Sequence, residues 1–342
     1  MNFGEIGIEE AVGAIAAHTV RASGVVVRKG SIFGPEAVAA LRAAGVERVV
    51  AARLESGDVP EDEAALRLSH AIAGPGVTVE RPFTGRSNLY ARAAGVLIVD
   101  RPGIDRVNAL DEAITVATLP ALKPVVTGEM VGTVKIIPYA VPGEALDRAV
   151  SAAAAVPGSV LGVAPYRRRR VGVISTMLPG LKETVVAKTL DTLGDRLAST
   201  GAMIVSDLRV PHLVEPLCAA LAAQAREGAD LVVVFGASAV ADRRDVVPAA
   251  IEAAGGRVDH LGMPVDPGNL LLIGRIGDTP LIGAPGCARS PKENGFDWVL
   301  HRLLADVAVS RADIMGLGVG GLLMEIVSRG QPRAGGESED EG

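Results

Sequence analysis

Residues 231–256 read LVVVFGASAVADRRDVVPAAIEAAGG, and this stretch decides the fold class. An apolar run rich in β-branched residues is typical of a buried strand, and a helical segment follows it after a polar loop. Strands that are apolar on both faces occur mainly in parallel sheets that helices cover on both sides. The stretch therefore indicates one strand–loop–helix unit of an α/β fold.

The same alternation continues on both sides of this unit. Strands are predicted at 171–175, 202–210, 258–263, 269–274 and 280–284, and helices at 182–200, 212–228, 245–256 and 292–305. A hairpin-like turn is expected at Gly277–Asp278. Short apolar strands alternating with helices predict a mostly parallel sheet sandwiched by helices, which we place at 166–310.

The N-terminal region, 1–165, has a less regular pattern. Segments 18–34 and 133–143 look like strands with turns, and 35–54 looks like a helix followed by a strand. Mixed α+β structure is the prediction for this region. A break is expected near 156–170, where the run Arg167–Arg170 is interpreted as a solvated linker edge rather than an anion site.

Two further segments follow the α/β domain. Residues 311–330 form a C-terminal segment, and 331–342, QPRAGGESEDEG, form an acidic tail. The tail lacks apolar residues that could offset its loss of conformational entropy, so we expect it to be disordered.

Composition favours a globular cytoplasmic protein. The 342 residues are 49% hydrophobic and carry a net charge of −6, which argues against a nucleic-acid partner because phosphate binding needs a basic surface. The sequence shows neither a signal-peptide pattern nor an apolar stretch long enough to cross a membrane. Cys218 and Cys287 have no metal-ligand spacing, and their scarcity fits a reducing compartment.

Three groups of residues follow the predicted strands at their carboxyl ends, where ligands bind in open parallel sheets. The first begins with Ser175 and Thr176, whose hydroxyls could bind a polar ligand or cap the next helix. This loop is expected to be exposed, so Thr176→Glu or Met177→Glu should not weaken the fold.

The second loop, 236–245, contains a glycine at the strand end, which lets backbone N–H groups approach an anion. Its candidate binding residues are Gly236, Ala237, Ser238, Asp242 and Asp245. The two aspartates are also the candidates for catalysis and for a metal ion, although a helix cap alone would explain Asp245. The spacings of a P-loop and of a dinucleotide fingerprint are both absent.

The third group comprises PVDPGN (264–269) and GAPGCARSPKEN (283–294). Each contains a Pro-Gly pair, expected as a turn whose glycine tolerates a positive φ, and polar residues cluster after it. Cations with amides and a hydroxyl suit a phosphorylated or strongly polar ligand. The candidates are Pro267, Gly268, Asn269, Pro285, Gly286, Arg289, Ser290, Lys292 and Asn294.

Together these loops resemble the motifs of molybdopterin-binding domains. GASAVADRRDVVPAAI (236–251) is similar to their G-G-[ST]-[GS] loop followed by R-D-[VT]-x-P-[ED]-A. GMPVDPGN (262–269) resembles the M-x-P-G-x-P loop of molybdenum-insertion enzymes, and GAPGCARSPKEN resembles their L-P-G-[NS]-P loop. The resemblance covers 171–305 and implies that these loops form the walls of a pterin and phosphate pocket.

Other segments resemble the same proteins. RKGSIFGPEAVAALRAAGVERVV (28–50) and GEMVGTVKIIPYAVP (128–142) look like parts of the insertion enzymes. GVGGLLMEIVSRGQPR (318–333) is similar to the segment that leads into the nucleotidyltransferase when such a domain is fused to a molybdopterin cytidylyltransferase.

The departures from the family pattern concern acidic residues. Insertion enzymes carry G-D-E where this chain has Ser175-Thr176-Met177, and His212 stands where adenylyl-transferring relatives have an acid. Ala237 replaces the second glycine of the G-G pair. Binding should survive these changes more easily than catalysis.

The resemblance implies a molybdopterin-binding protein of molybdenum cofactor biosynthesis. It would hold molybdopterin or its nucleotide form for a partner enzyme such as a molybdopterin cytidylyltransferase, and its relatives imply a homodimer. One alternative is an enzyme, either a molybdopterin adenylyltransferase or a molybdopterin molybdenumtransferase that uses Mg²⁺ and a nucleotide. Another alternative is a regulatory protein that senses the cofactor.

Overall fold

The computed structural model describes residues 1–266 and 268–323. The chain divides into two compact units, the first being Met1–Pro165 and the second beginning at Tyr166. Each unit has its own hydrophobic core. Within the described residues, no helix combines the length and the apolar character that crossing a membrane requires.

The first unit has mixed α and β structure, as the sequence predicts. Its helices are α1 Pro35–Ala43, α2 Glu61–Ile72, α3 Arg101–Asn108 and α4 Gly143–Ala154. Its strands are β1 Asn2–Gly7, β2 Ile15–Ala16, β3 Val20–Ala22, β4 Val25–Val27, β5 Arg48–Arg53, β6 Asp58–Pro60, β7 Val77–Val79, β8 Arg86–Ala91, β9 Gly95–Val99, β10 Ile114–Thr118, β11 Pro124–Val125, β12 Met130–Ile136, β13 Ala140–Pro142 and β14 Leu161–Pro165.

Small antiparallel sheets organise this unit. The largest has the order β10-β12-β8-β7, and α2 packs on it through Leu68 and Ile72, which are fully buried. β14 lies inside the stretch where the sequence suggested a break, and it pairs antiparallel with β9. Residues 161–165 are therefore part of a sheet.

The second unit is built on one six-stranded sheet. Its strands are β15 Arg170–Met177, β16 Met203–Pro211, β17 Leu231–Phe235, β18 Arg257–Met263, β19 Asn269–Ile276 and β20 Thr279–Ala284, in the order β16-β15-β17-β20-β19-β18. Its helices are α5 Glu183–Ala198, α6 Val214–Arg226, α7 Val246–Ala253, α8 Gly295–Leu304 and α9 Arg311–Met315. The predicted α/β class is confirmed.

The sheet is mostly parallel. β16, β15, β17 and β20 run in one direction, whereas β19 is antiparallel to both of its neighbours and so returns β18 to the common direction. The reversal between β19 and β20 occurs at the predicted turn, where Gly277 has a φ of +54°. Five of the six strands therefore end at the same edge of the sheet.

The centre of the sheet is buried on both faces. In β17, Val232 and Val234 pack with Leu221 of α6 and Ile251 of α7. Val233 points to the opposite face, as successive strand residues do, and it is also fully buried. A fully buried aliphatic side chain contributes about 1.5–3 kcal/mol, so this apolar run anchors the unit.

The four arginines at 167–170 have defined partners, which the interpretation as a linker edge did not include. Arg168 forms an ion pair with Asp306 at 2.6 Å, and the backbone N–H groups of Arg169 and Arg170 both donate to one oxygen of Asp230. These contacts fix the start of β15. The C-terminal segment is described to residue 323. In it, α9 ends at Met315 and a short 3₁₀ turn, Gly316–Gly318, follows. The predicted tail lies outside the described residues.

Candidate functional site

The predicted binding loops meet at the carboxyl edge of the six-stranded sheet. The parallel strands β15, β17 and β20 end there side by side, with Phe235 in register with Ser175 and with Ala284. β19 runs the other way, so its first residue, Asn269, pairs with Met263 at the end of β18. All three groups of predicted residues lie on one edge of the sheet, because the strands that they follow end there and β19 begins there.

Ser175 and Thr176 belong to β15 rather than to a loop, since the strand continues to Met177. Both side chains are buried, at 3% and 1% exposure. The prediction that Thr176 is exposed is wrong: the loop after β17 folds over the strand end, and Ala237 N–H donates to Thr176 Oγ1 at 2.8 Å. Neither hydroxyl caps α5, which begins without a side-chain cap.

Loop 236–245 is held by side chains around it. Gly236 approaches its own loop closely, because a Cβ there would lie 2.8 Å from the carbonyl oxygen of Ser238. The exposed Ser238 hydroxyl lies 3.0 Å from His212 Nε2, and His212 Nδ1 lies 2.8 Å from Thr176 Oγ1. The loop is thereby connected to the buried end of β15.

Both candidate aspartates of this loop already have partners. Asp245 caps α7, accepting hydrogen bonds from Val246 N–H at 2.7 Å and from Ala241 N–H at 3.1 Å. Asp242 is exposed and accepts from the backbone and the guanidinium of Arg244, and these hydrogen bonds lower the pKa of Asp242. The described residues contain no group of three or more His, Cys, Asp or Glu side chains arranged to hold a metal ion.

The loop after β20 contacts loop 236–245 through Arg289. Arg289 Nη2 donates to Gly236 O at 2.9 Å, and its guanidinium carbon lies 5.6 Å from the centre of the Phe235 ring. Burial lowers the pKa of Arg289, because a buried position disfavours a positive charge that has no anionic partner.

The same loop is held from the other side by Arg196, which sequence reasoning missed. Arg196 Nε lies 2.5 Å from Asp297 Oδ1 in a buried ion pair, and its Nη atoms donate to the carbonyl oxygens of Ala288 and Ser290. Arg196 stands near the end of α5, far from the loop in sequence, so no local pattern could have connected them.

The remaining predicted residues have mainly structural contacts. Asn294 caps α8 in a reciprocal arrangement with Asp297, and Asn269 Oδ1 accepts from Leu271 N–H. The two amides also contact Cys287 Sγ from either side, at 3.5 Å for Asn269 and 3.6 Å for Asn294. Lys292 is exposed.

The two Pro-Gly pairs differ. Gly268 has a φ of +100°, as expected for the predicted turn, whereas Gly286 has no positive φ and starts a 3₁₀ turn, Gly286–Arg289. Gly286 therefore does not use the positive φ that a glycine tolerates. Pro285 is buried, and Pro267 lies outside the described residues.

A narrow cleft opens between the carboxyl edge and the first turns of α5. It is lined by Ser175, Thr176, Leu181, Val185, Val186, Thr189, Phe235 and Arg289. Ser175 Oγ is buried and has no hydrogen-bond partner among the described residues. The cleft thus combines apolar walls, one cation and an unsatisfied hydroxyl, and its volume of about 10 Å³ holds no more than one water molecule.

Comparisons with known proteins give one sequence match and several similar folds. Residues 5–53 match the family described as Domain of unknown function (DUF8806). No curated protein matches the chain. The solved structure of the molybdopterin biosynthesis enzyme MoaB from Thermus thermophilus is similar at 21% identity and a TM-score of 0.31, covering 41% of this chain and 96% of that chain. CinA from Thermoplasma acidophilum, a protein of unknown function, is similar at 18% identity and a TM-score of 0.30, covering 41% of this chain and 99% of that chain.

Proposed function

We propose that the second unit binds molybdopterin or its nucleotide form and holds it for a partner enzyme of molybdenum cofactor biosynthesis in the cytoplasm. The observation that carries this proposal is the hydrogen bond from Arg289 to Gly236 O. It joins the two loops whose sequences resemble the pterin-binding motifs and places a cation between them.

The chemistry of the cleft supports a ligand with a flat ring and a phosphate. A guanidinium has five N–H donors, and Arg289 directs one of them to Gly236 O. A phosphate beside Arg289 would offset the charge that burial disfavours and could accept from the Ser175 hydroxyl. Phe235 is buried at 2% exposure, so the apolar surface open to a ring is that of Leu181 and of Val185, which is 41% exposed.

The acidic residues support binding more than nucleotidyl transfer or metal insertion. Mg²⁺ in such reactions is held by carboxylates that reach the transferred group. Asp245 caps α7 with one carboxylate oxygen and accepts from the loop N–H of Ala241 with the other, and Asp242 is paired with Arg244. The carboxylates of loop 236–245 therefore do not fit a resident Mg²⁺ ion.

The direct test is an anaerobic titration of the full chain with molybdopterin. We expect binding, and we expect Arg289→Met to weaken it by about 10- to 100-fold, because a hydrogen bond to a charged group contributes about 1.5–3 kcal/mol. Arg289→Lys, which keeps the charge, should lose less. Arg257→Met is the matched control, because that side chain is exposed, pairs only with Asp259 among the described residues and lies at the start of β18, away from the carboxyl edge.

Two results would contradict the proposal. One is an unmodified chain that does not bind molybdopterin. The other is an equal affinity of Arg289→Met and Arg257→Met for the pterin. Formation of AMP or pyrophosphate from ATP in the presence of Mg²⁺ and molybdopterin would favour the enzymatic alternative over a binding role.

We also propose a homodimer and transfer of the pterin to a molybdopterin cytidylyltransferase. Light scattering should give twice the chain mass. Loaded protein mixed with that enzyme and CTP should yield the pterin–cytidine dinucleotide faster than the same amount of free pterin. Equal rates would remove the partner from the proposal.

A further inference from the structure

A chain of hydrogen bonds runs from the buried end of β15 to the exposed loop 236–245. Ala237 N–H donates to Thr176 Oγ1 at 2.8 Å, Thr176 Oγ1 lies 2.8 Å from His212 Nδ1, and His212 Nε2 lies 3.0 Å from Ser238 Oγ. His212 follows β16 directly, and its backbone N–H donates to Met177 O. The imidazole therefore lies between a buried hydroxyl and an exposed one.

Thr176, at the buried end of this series of hydrogen bonds, determines which atom is the donor in each of them. Thr176 Oγ1 accepts from Ala237 N–H, and its own proton needs an acceptor because the side chain is only 1% exposed. Within the part of the chain that the structure describes, His212 Nδ1 is the one acceptor that this hydroxyl reaches. Thr176 is thus the donor and Nδ1 the acceptor, which leaves the proton of a neutral imidazole on Nε2.

The exposed end follows from this tautomer. Nε2–H donates to Ser238 Oγ. The proton of the Ser238 hydroxyl therefore takes no part in the hydrogen bonds that join Thr176, His212 and Ser238. Ser238 is exposed at the rim of the edge where the binding loops meet, and its hydroxyl can direct this proton toward a ligand.

We propose that His212 is a specificity-determining residue, which polarises Ser238 into a hydrogen-bond donor so that the loop selects a ligand oxygen without a proton. A phosphate oxygen or a carbonyl oxygen satisfies this requirement, and an amino group does not. The assignment of donors and acceptors among Thr176, His212 and Ser238 does not depend on the proposed function. Only the statement that the selected oxygen belongs to molybdopterin rests on that function.

The position of the proton on Nε2 also distinguishes His212 and Ser238 from a catalytic pair in which a histidine activates a serine nucleophile. A histidine that activates a serine must accept the serine proton on the nitrogen that faces it. Here that nitrogen already carries a proton, because a hydroxyl rather than a carboxylate contacts the other nitrogen. Ser238 is therefore a binding group, and covalent labelling by a fluorophosphonate should not occur at this residue.

The tautomer can be measured directly by long-range ¹H–¹⁵N spectroscopy of the imidazoles in the full chain at about pH 8, where an ordinary histidine is neutral. The signal that disappears in His212→Gln identifies this residue among the five histidines. We expect Nε2–H, and Thr176→Val should shift the population toward a mixture of tautomers. A dominant Nδ1–H form in the unmodified chain overturns the proposal.

Selection by Ser238 can be measured with inorganic phosphate as the probe. The side-chain nitrogen of glutamine reaches as far as Nε2 and that of asparagine only as far as Nδ1, so His212→Gln keeps a donor to Ser238 and His212→Asn does not. We expect phosphate affinity to fall about fivefold in His212→Asn and in Ser238→Ala, the loss of about one ordinary hydrogen bond, and less than about twofold in His212→Gln.

Equal losses in the glutamine and asparagine variants overturn the proposal, and so does an unmodified chain whose Ser238 amide does not respond to phosphate. A chain that shows the Nε2–H tautomer and the phosphate response but does not bind molybdopterin would contradict the proposed function alone.

Discussion

At the scale of single residues, Thr176 shows how strongly a strand end can be constrained. Its side chain is buried and both hydrogen bonds of its hydroxyl go to protein groups. Glutamate there would lose these bonds and crowd a packed position, and each effect typically costs about 1–3 kcal/mol. We expect Thr176→Glu to lower the free energy of unfolding by about 3 kcal/mol in urea denaturation, and Met177→Glu to lower it less. Equal stability of Thr176→Glu and the unmodified chain would show that water reaches this position.

Asp245 provides a second test at this scale. Its carboxylate caps α7 by accepting from Val246 N–H and also accepts from Ala241 N–H in the loop, so Asp245→Ala should cost about 1 kcal/mol. Asp242→Ala is the matched control from the same loop, because Asp242 is exposed and bonds only to residues next to it. Urea denaturation of both variants measures the difference. A cost for Asp242→Ala as large as that for Asp245→Ala would contradict the assignment of the cap.

His301 makes stability depend on pH. Burial lowers the pKa of His301, and its Nδ1 lies 2.7 Å from the Tyr166 hydroxyl, whose pKa burial raises to about 12. Since the folded state binds this proton less tightly than the unfolded state, the stabilisation is complete above about pH 6.5 and is lost as the pH falls through the folded pKa. Denaturation between about pH 7.5 and 5 should therefore show a smaller decrease for His301→Gln than for the unmodified chain. His18→Gln, at an exposed position, should leave the decrease unchanged.

At the scale of elements, Arg196 connects α5 to α8 and to the loop between β20 and α8. It pairs with Asp297 and donates to two loop carbonyl groups, all in a largely buried position. Removing one partner of a buried pair leaves an uncompensated charge, at a typical cost of about 3–5 kcal/mol. We expect Arg196→Met to destabilise the chain by about 3 kcal/mol, as chemical denaturation would measure. Lys188→Met on the exposed side of α5 should change stability by less than about 0.5 kcal/mol, and a similar small effect for Arg196→Met would contradict this role.

At the scale of the whole molecule, each unit has a core of its own, which implies two independent folding units; the first unit also contains a second cluster around Phe33 and Leu41. The core of the first unit includes Leu68 and Leu161, and that of the second includes Val234 and Leu272. A domain with its own core can fold alone. We expect a polypeptide that begins at Tyr166 to unfold cooperatively in calorimetry and to retain the affinity for molybdopterin of the full chain. A fragment that lacks a cooperative transition would show that the second unit needs residues before Tyr166.

The sequence predicted the sheet better than the site, and the reason is physical. Alternating apolar strands and helices are local patterns, so every strand and helix predicted between 171 and 305 is present within a few residues. Burial at the end of β15 depends on a loop far along the chain that folds over it, and the role of Arg196 depends on Asp297. Position after a strand correctly placed the loops on one edge. The sequence could not show which polar groups face a ligand and which form hydrogen bonds with one another.

The reversed strand β19 has a consequence for the order in which the second unit assembles. β18, β19 and β20 follow one another in the chain and pair through short turns, so closing these contacts costs little entropy. Pairing β15 with β17 must wait for a long crossover that contains β16 and two helices, and such non-local contacts slow folding. We therefore expect the meander to form early and the two central strands to dock late. The cleft beside β15 would then be completed in the last step of folding, and a ligand bound there would chiefly slow the first step of unfolding.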